Sequence, residues 1–265
     1  MAWIDELDLR VGPPDAAMGT RALDPSRWLL HGDDWDDQVA EANHLLDTRR
    51  ADVLAGDTTS AAAHELLVLV EESVAAATDS STRSDDDPLA AARRLVAEDL
   101  CLLTPTTDGQ WVLAAGAVCF PSYWVLTEKV GRPLTAVHEP APGYAGPLAT
   151  RVDTFLGRLK PGQGVWRRNW SIHDSPALHV PRHDHSSTTT DRWLRSEYQT
   201  LRRLPSAEAV VFTIRTQQLP LAEVPPTARQ RIAAAVRGWS PAVHGYKGGA
   251  IDADLLEAME HPQGS

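Results

Sequence analysis

The sequence predicts an α+β fold: an antiparallel sheet with helices on one side, extended by helical segments before and after it. Three observations carry this expectation. Apolar positions recur at helical spacing through residues 61–102, short apolar runs of strand character fill residues 111–220, and helical patterning returns beyond 221. Within the middle block the order is strand, irregular helical crossing, helix, then several strands, which suits an antiparallel sheet covered by helices. The chain accordingly divides into a mainly helical region 1–110, a core 111–220 and a helical segment 221–265, integrated as one domain.

The elements follow in order. In 61–77, AAAHELLVLVEESVAAA, the apolar side chains Leu66, Leu67, Val70 and Val74 predict a helix. Residues 78–87 are rich in Ser, Thr and Asp and read as a solvated loop. Asp87 followed by Pro88 is a helix start, a capping carboxylate before a proline at the first helical position. This helix is expected to run to about Leu102, with Leu89, Ala92, Leu95, Val96 and Leu100 on its buried face. From residue 111 the run WVLAAGAVCFP reads as a buried strand closed by proline. The stretch GRPLTAVHEPAPGYAG then predicts a structured loop with brief helical turns. Leu148, Val152, Phe155 and Leu159 define a helix over 147–160, ended by Pro161-Gly162. GVWRRNWSIHD alternates Trp166, Arg168, Trp170 and Ile172 on one face, the period of a strand. VVFTIRT is β-branched and aromatic and predicts another, while periodicity leaves the type of WLRSEYQTLRRLP open. Residues 227–238 and 251–260 read as closing helices.

Composition excludes several classes. The 265 residues carry 25 basic and 36 acidic side chains, a net charge of −11. A general nucleic-acid binder needs a basic face, so that class is set aside, and cationic ligands are modestly favoured. No apolar run is long enough to cross a bilayer, and MAWIDELDLR lacks the basic start and apolar core of a secretory signal, so a cytoplasmic location is expected. Two cysteines, Cys101 and Cys119, cannot supply a four-thiolate iron–sulfur cluster; both sit in apolar runs and read as buried thiols. The dinucleotide, P-loop, zincin, C-x-x-C and G-x-S-x-G motifs are all missing. Electrons for any redox chemistry therefore have to come from another protein.

WVLAAGAVCFPSYWVLTEKVGRPLTAVHEPAPGY, VWRRNWSIHD and SEYQTLRRLPSAEAVVFTIRT, with MGTRALDPSRWL and AARRLVAEDLCLL upstream, resemble the haem-dependent oxidative N-demethylase-like proteins, segment by segment and in order, over roughly residues 18 to 220. The resemblance implies a PAS-like domain holding haem b, with 111–220 as the haem-binding core. It implies oxygen activation at the iron and removal of a methyl group from a small secondary amine as formaldehyde. It also implies an electron-donating reductase whose flavin and iron–sulfur centres lie on partner chains. One position departs from the expected pattern: Tyr198 stands where a basic residue is expected. If it faces the pocket, the substrate differs from dimethylamine.

Haem requires an axial ligand, and histidine suits a chain without a thiolate loop. His138, in the Pro/Gly-rich AVHEPAPGY, is the first candidate, because in haem-binding PAS domains the ligand commonly comes from this crossing region; its ordinary alternative is a loop-bridging histidine. His173 is the second, with Asp174 beside it to orient the imidazole, against a plain strand-end residue. Arg132, Arg168, Arg202, Arg203 and Arg215 are candidates for the propionates, each otherwise an ordinary salt-bridged side chain. Glu197 is a candidate to hold or deprotonate the amine, and Tyr144 to hydrogen-bond dioxygen. Trp124, Trp166 and Trp170 read as packing or haem-wall residues. Two other functions stay open: a haem-PAS redox or gas sensor, and a zinc-dependent hydrolase using His173, His179, His183 and His185.

Overall fold

The structure is a computed structural model that describes residues 2–9, 19–76, 85–139, 142, 144, 146–183, 191–247 and 251–260. Its strands are β1 (Arg21–Ala22), β2 (Leu54–Gly56), β3 (Asp99–Pro105), β4 (Trp111–Ala117), β5 (Gly164–His173), β6 (Trp193–Arg203) and β7 (Val210–Pro220). All pairings are antiparallel, in one seven-stranded sheet ordered β1-β5-β6-β7-β3-β4-β2. Ten α-helices surround it among the described residues: α1 (Trp35–Thr48), α2 (Arg50–Val53), α3 (Ala61–Ala75), α4 (Pro88–Arg94), α5 (Leu126–Lys129), α6 (Leu134–Val137), α7 (Pro147–Arg158), α8 (Pro226–Arg237), α9 (Pro241–Lys247) and α10 (Ala253–Glu260). No described helix is long and apolar enough to cross a membrane.

Helices cover both faces of the sheet, not one. Leu100 and Leu102 send their side chains to one face, into a core with Trp28, Leu66 and Val70 that α1, α3 and α4 complete. Farther along the same face, Trp170, Ile172 and Leu219 pack on α8 and α10. Cys101 and Leu103 point the other way, and there α5, α6 and α7 lay Leu126, Leu134 and Leu156 over Leu113 and Val210. A strand buried on both sides reads as continuous apolar sequence, which explains why Leu95–Leu102 mimics a helix. The helix begins as expected, with Asp87 Oδ1 accepting from Ala90 N at 2.9 Å and Pro88 in the first turn. It ends at Arg94, and Asp99–Pro105 is strand β3. The expectation of helix to Leu102 is thus corrected: pairing with β4 and β7 overrides the helix propensity of its leucines.

A buried ion pair fixes this junction. Arg93 and Asp99 are both fully buried. Asp99 Oδ1 accepts from Arg93 Nη2 at 3.0 Å and Nε at 3.2 Å. The same carboxylate accepts the backbone N–H of Cys119 at 2.7 Å and of Phe120 at 3.0 Å, and Arg93 Nη1 donates to Val96 O at 2.5 Å. One side chain therefore ties α4, β3 and the exit of β4 together. At the opposite edge of β4, Gly56 has φ +93°, and a Cβ there would lie 2.2 Å from Ala114 O, so only glycine lets β2 close on β4.

Replacing Asp99 by alanine would strand the Arg93 charge and two backbone donors in the interior. The expected loss is about 3–5 kcal/mol of unfolding free energy, read from the urea midpoint.

Candidate active site on the polar face of the sheet

Side chains alternate along a strand, so the two rows that cross β5 and β6 face opposite ways. In one row Arg168 lies opposite Tyr198, and Tyr198 opposite Arg215. In the other, Arg167 lies opposite Gln199 and Asn169 opposite Glu197. The second row shares the face covered by α5–α7. Toward β5 that face changes from apolar to polar.

The polar residues form a ladder. Arg167 Nε donates to Gln199 Oε1 at 2.8 Å, and Gln199 Nε2 donates to Glu197 Oε2 at 2.9 Å. Asn169 Nδ2 donates to the same oxygen at 3.3 Å. Lys247 Nζ, from α9, donates to Asn169 Oδ1 at 2.7 Å and to Trp170 O at 3.2 Å. Arg167 is exposed to solvent, yet desolvation pulls its pKa down. Its charge acts on the rings of His138 and Tyr144, so these three border the open side of this face, the cleft. Lys247 behaves alike: partly accessible, it is pulled down to about 8 by desolvation, which the nearby Glu197 charge opposes. Among the described residues the two Nη atoms of Arg167 have no hydrogen-bond partner.

His138 caps the end of α6 and borders the same cleft. Its Nδ1 lies 2.9 Å from Leu134 O, and its ring stacks on Tyr144 with centroids 4.1 Å apart. A carbonyl can only accept, so the proton sits on Nδ1 and Nε2 keeps its lone pair. Desolvation pulls this imidazole down to about 4, against the Leu134 hydrogen bond and helped by the Arg167 and Lys129 charges, so it is neutral at pH 7. Burial pushes Tyr144 up to about 12, keeping its hydroxyl protonated.

His173 is held differently. It is fully buried, with Nε2 3.1 Å from both Ser122 Oγ and Ser171 Oγ. Its oriented partners are hydroxyls, not the Asp174 carboxylate. Its ring stacks on Tyr123 at 4.6 Å, and Tyr123 stacks on His183 at 3.6 Å. Tyr123 has φ 58°, a costly conformation for a bulky residue. Arg195, beside them, donates to Phe120 O at 2.5 Å and Leu178 O at 3.0 Å.

The sheet separates the arginine candidates. Arg168 faces away from His138 and donates to Glu6 Oε2 at 2.7 Å and Gln217 Oε1 at 2.9 Å. Arg215, on the same far face, is bound to Asp34 Oδ1 at 2.6 Å and to Gln38. Arg202 stacks over Trp28 at 4.3 Å, and Trp170 donates to Asp8 O at 3.0 Å. Arg203 sits over Trp111, and Arg132 is exposed in the turn after α5. One ligand on the cleft face reaches none of Arg168, Arg202, Arg215 or Trp170. Trp166 packs on Tyr198 on the far face, whereas Trp124 joins the apolar cluster under α5–α7. Tyr198 is buried there, its hydroxyl donating to Arg27 O at 3.1 Å, so the departure at this position does not bear on the cleft. His179 Nδ1 lies 2.8 Å from Cys119 O, and His185 is outside the described residues. No group of three or more His, Cys, Asp or Glu among the described residues is placed to hold a metal ion.

Sequence reasoning singled out His138, Tyr144 and Glu197 as candidates, and did not single out Arg167, Gln199, Asn169 and Lys247, which the structure places beside them. The missing signal was parity. In Trp166-Arg167-Arg168 adjacent arginines must face opposite ways, and Arg167 shares its face with Glu197 through the register.

A family model described as haem-dependent oxidative N-demethylase, alpha subunit-like, matches residues 69–256. The chain belongs to this family. The match takes in β3 to β7, α9 and every rung of the ladder, and the family's description carries haem dependence and oxidative N-demethylation.

The depressed histidines make stability pH-dependent. Burial and the Arg195 and His183 charges hold folded His173 at about 3, against an ordinary value near 6.5. The unfolded chain therefore binds the extra proton as pH falls from 6.5 toward 3, and stability is lost over that window. Glu98, raised to about 7 by burial, acts in the opposite sense: its contribution is full below 4.5 and is lost as pH rises through 7. Replacing His173 by glutamine isolates the histidine contribution. The variant should melt below the wild type at pH 7, and the gap should narrow steadily as pH is lowered to 4.

Proposed function

We propose that this chain is the haem-binding, oxygen-using subunit of an enzyme that removes a methyl group from a small amine and releases formaldehyde. The carrying observation is His138: a neutral imidazole at the cleft, its Nδ1 fixed by a carbonyl and its Nε2 lone pair free of any described partner. Through that nitrogen His138 would hold the haem iron, with the carbonyl setting ring orientation. His173 fits less well, since its Nε2 is already shared by two hydroxyls inside the protein. The residues thus fit haem b, with the core 111–220 and β3 read as a PAS-like holder.

Bound there, haem would supply oxygen activation and oxidation of the methyl carbon. The protein's own work is positioning and proton handling. Glu197 Oε1, held only by a long ion pair with Arg195 at 4.0 Å, would hold the ammonium of the substrate and take a proton from it, while Oε2 is fixed by Gln199 and Asn169. Tyr144, protonated and stacked on the His138 ring, would steady that imidazole rather than reach dioxygen, the role the sequence suggested for it. The apolar layer of α5, α6 and α7 limits water on that side. The chain carries no nicotinamide motif, so we assign the electrons to a separate reductase with flavin and iron–sulfur centres. We place the enzyme in the cytoplasm, without a nucleic-acid or membrane partner.

The purified protein should bind hemin with a Soret band, which His138→Ala loses and His173→Ala keeps. With a chemical reductant and oxygen it should release formaldehyde in proportion to a methylated amine. A Soret band without formaldehyde from any methylamine would leave a haem sensor instead, and zinc without hemin uptake a hydrolase.

A further inference from the structure

Arg167 and Glu197 are close opposite charges on adjacent strands, yet they do not pair. Charges so placed ordinarily neutralise one another directly. Here Gln199 stands between them, taking one donor of the guanidinium at 2.8 Å and one oxygen of the carboxylate at 2.9 Å. The amide holds the two apart: the two Nη atoms of Arg167 have no described hydrogen-bond partner, and Oε1 of Glu197 makes no described hydrogen bond, only a long ion pair with Arg195 Nε at 4.0 Å.

We propose that Arg167 and Glu197 bind a zwitterion, so that the substrate is a small N-methylated amino acid and not a simple dialkylamine. This rests on the demethylase reading of the cleft and names its substrate class. The carboxylate of such a molecule takes the planar fork of Arg167 in a bidentate pair. Its ammonium takes Glu197 Oε1. The neutral Gln199 spacer matches the short carbon link between the two charges. A bare dialkylammonium would satisfy Glu197 and leave the Arg167 fork without an anion. It would also add a positive charge to a neighbourhood already holding Arg167, Arg195 and Lys247. A carboxylate relieves both.

The same fork could serve a haem propionate, so the experiment separates the two sources. Calorimetric titration of the haem-loaded protein uses N-methylglycine, its methyl ester and dimethylamine, in wild type and in Arg167→Gln. Parallel titration of the haem-free protein uses hemin and hemin dimethyl ester. We expect N-methylglycine to bind about tenfold or more tighter than either its ester or dimethylamine, the worth of one charge-assisted pair. Arg167→Gln should abolish that preference, leave dimethylamine binding no weaker than in the wild type and leave hemin uptake intact. Equal binding of dimethylamine and N-methylglycine overturns the proposal. So does a preference that survives in Arg167→Gln. A loss of hemin affinity in Arg167→Gln that is absent for the dimethyl ester assigns the fork to the cofactor and also overturns it. Formaldehyde is assayed alongside. Selective N-methylglycine binding without formaldehyde would sink the demethylase reading and keep the zwitterion site, whereas formaldehyde from dimethylamine with no amino-acid preference would do the reverse.

Discussion

The carboxylate of Asp99 is the point on which the rest of the molecule hangs. It neutralises Arg93 from α4, begins β3, and accepts the backbone N–H groups of Cys119 and Phe120 where β4 ends. Phe120 in turn gives its carbonyl to Arg195 on β6, and the residues just beyond supply Ser122 and Tyr123 to His173. A single buried charge thus aligns a helix on one face of the sheet with the turn that closes the polar corner on the other. Such a pair contributes little net energy against a well-packed apolar substitute, but breaking it is costly. Its value lies in fixing the geometry.

The sheet sorts charge by parity. Arg168 and Arg215 are consumed by Glu6, Gln217 and Asp34 and serve to clasp the N-terminal segments. One residue away, Arg167 faces the cleft, and among the described residues its Nε alone is hydrogen-bonded. Two arginines adjacent in sequence therefore have unrelated roles, set by the pleat alone. Glu197 and Tyr198 show the same division on β6, one facing the cleft and the other packed under Arg27 and Trp166.

Local chemistry was legible where it is self-contained. The Asp87-Pro88 start, the helix at Ala61–Ala75, the stop before Pro161 and the Trp-rich strand all follow from short-range capping and period. The segment from Leu95 to Leu102 was not legible, because burial on both faces erases the alternation that distinguishes a strand. His138 was singled out through the family resemblance, which puts haem ligands in such a crossing, and the structure sets its ring against Tyr144. Lys247 could not be singled out, since its approach to Asn169 spans 78 residues and depends on the docking of α9. Arg167 lay within reach of the pattern, but only once strand register showed which arginine shares a face with Glu197.

The anchoring of Lys247 has a bearing beyond the cleft. Past Trp166, β5 has β6 on one flank and, among the described residues, no strand on the other, since β1 pairs at Trp166 and Val165. An open strand flank is a template for a foreign chain. By occupying the Trp170 carbonyl, the ammonium takes one acceptor of that flank out of use for strand addition. The same lysine holds Asn169 in the polar ladder, so edge and ladder share one anchor.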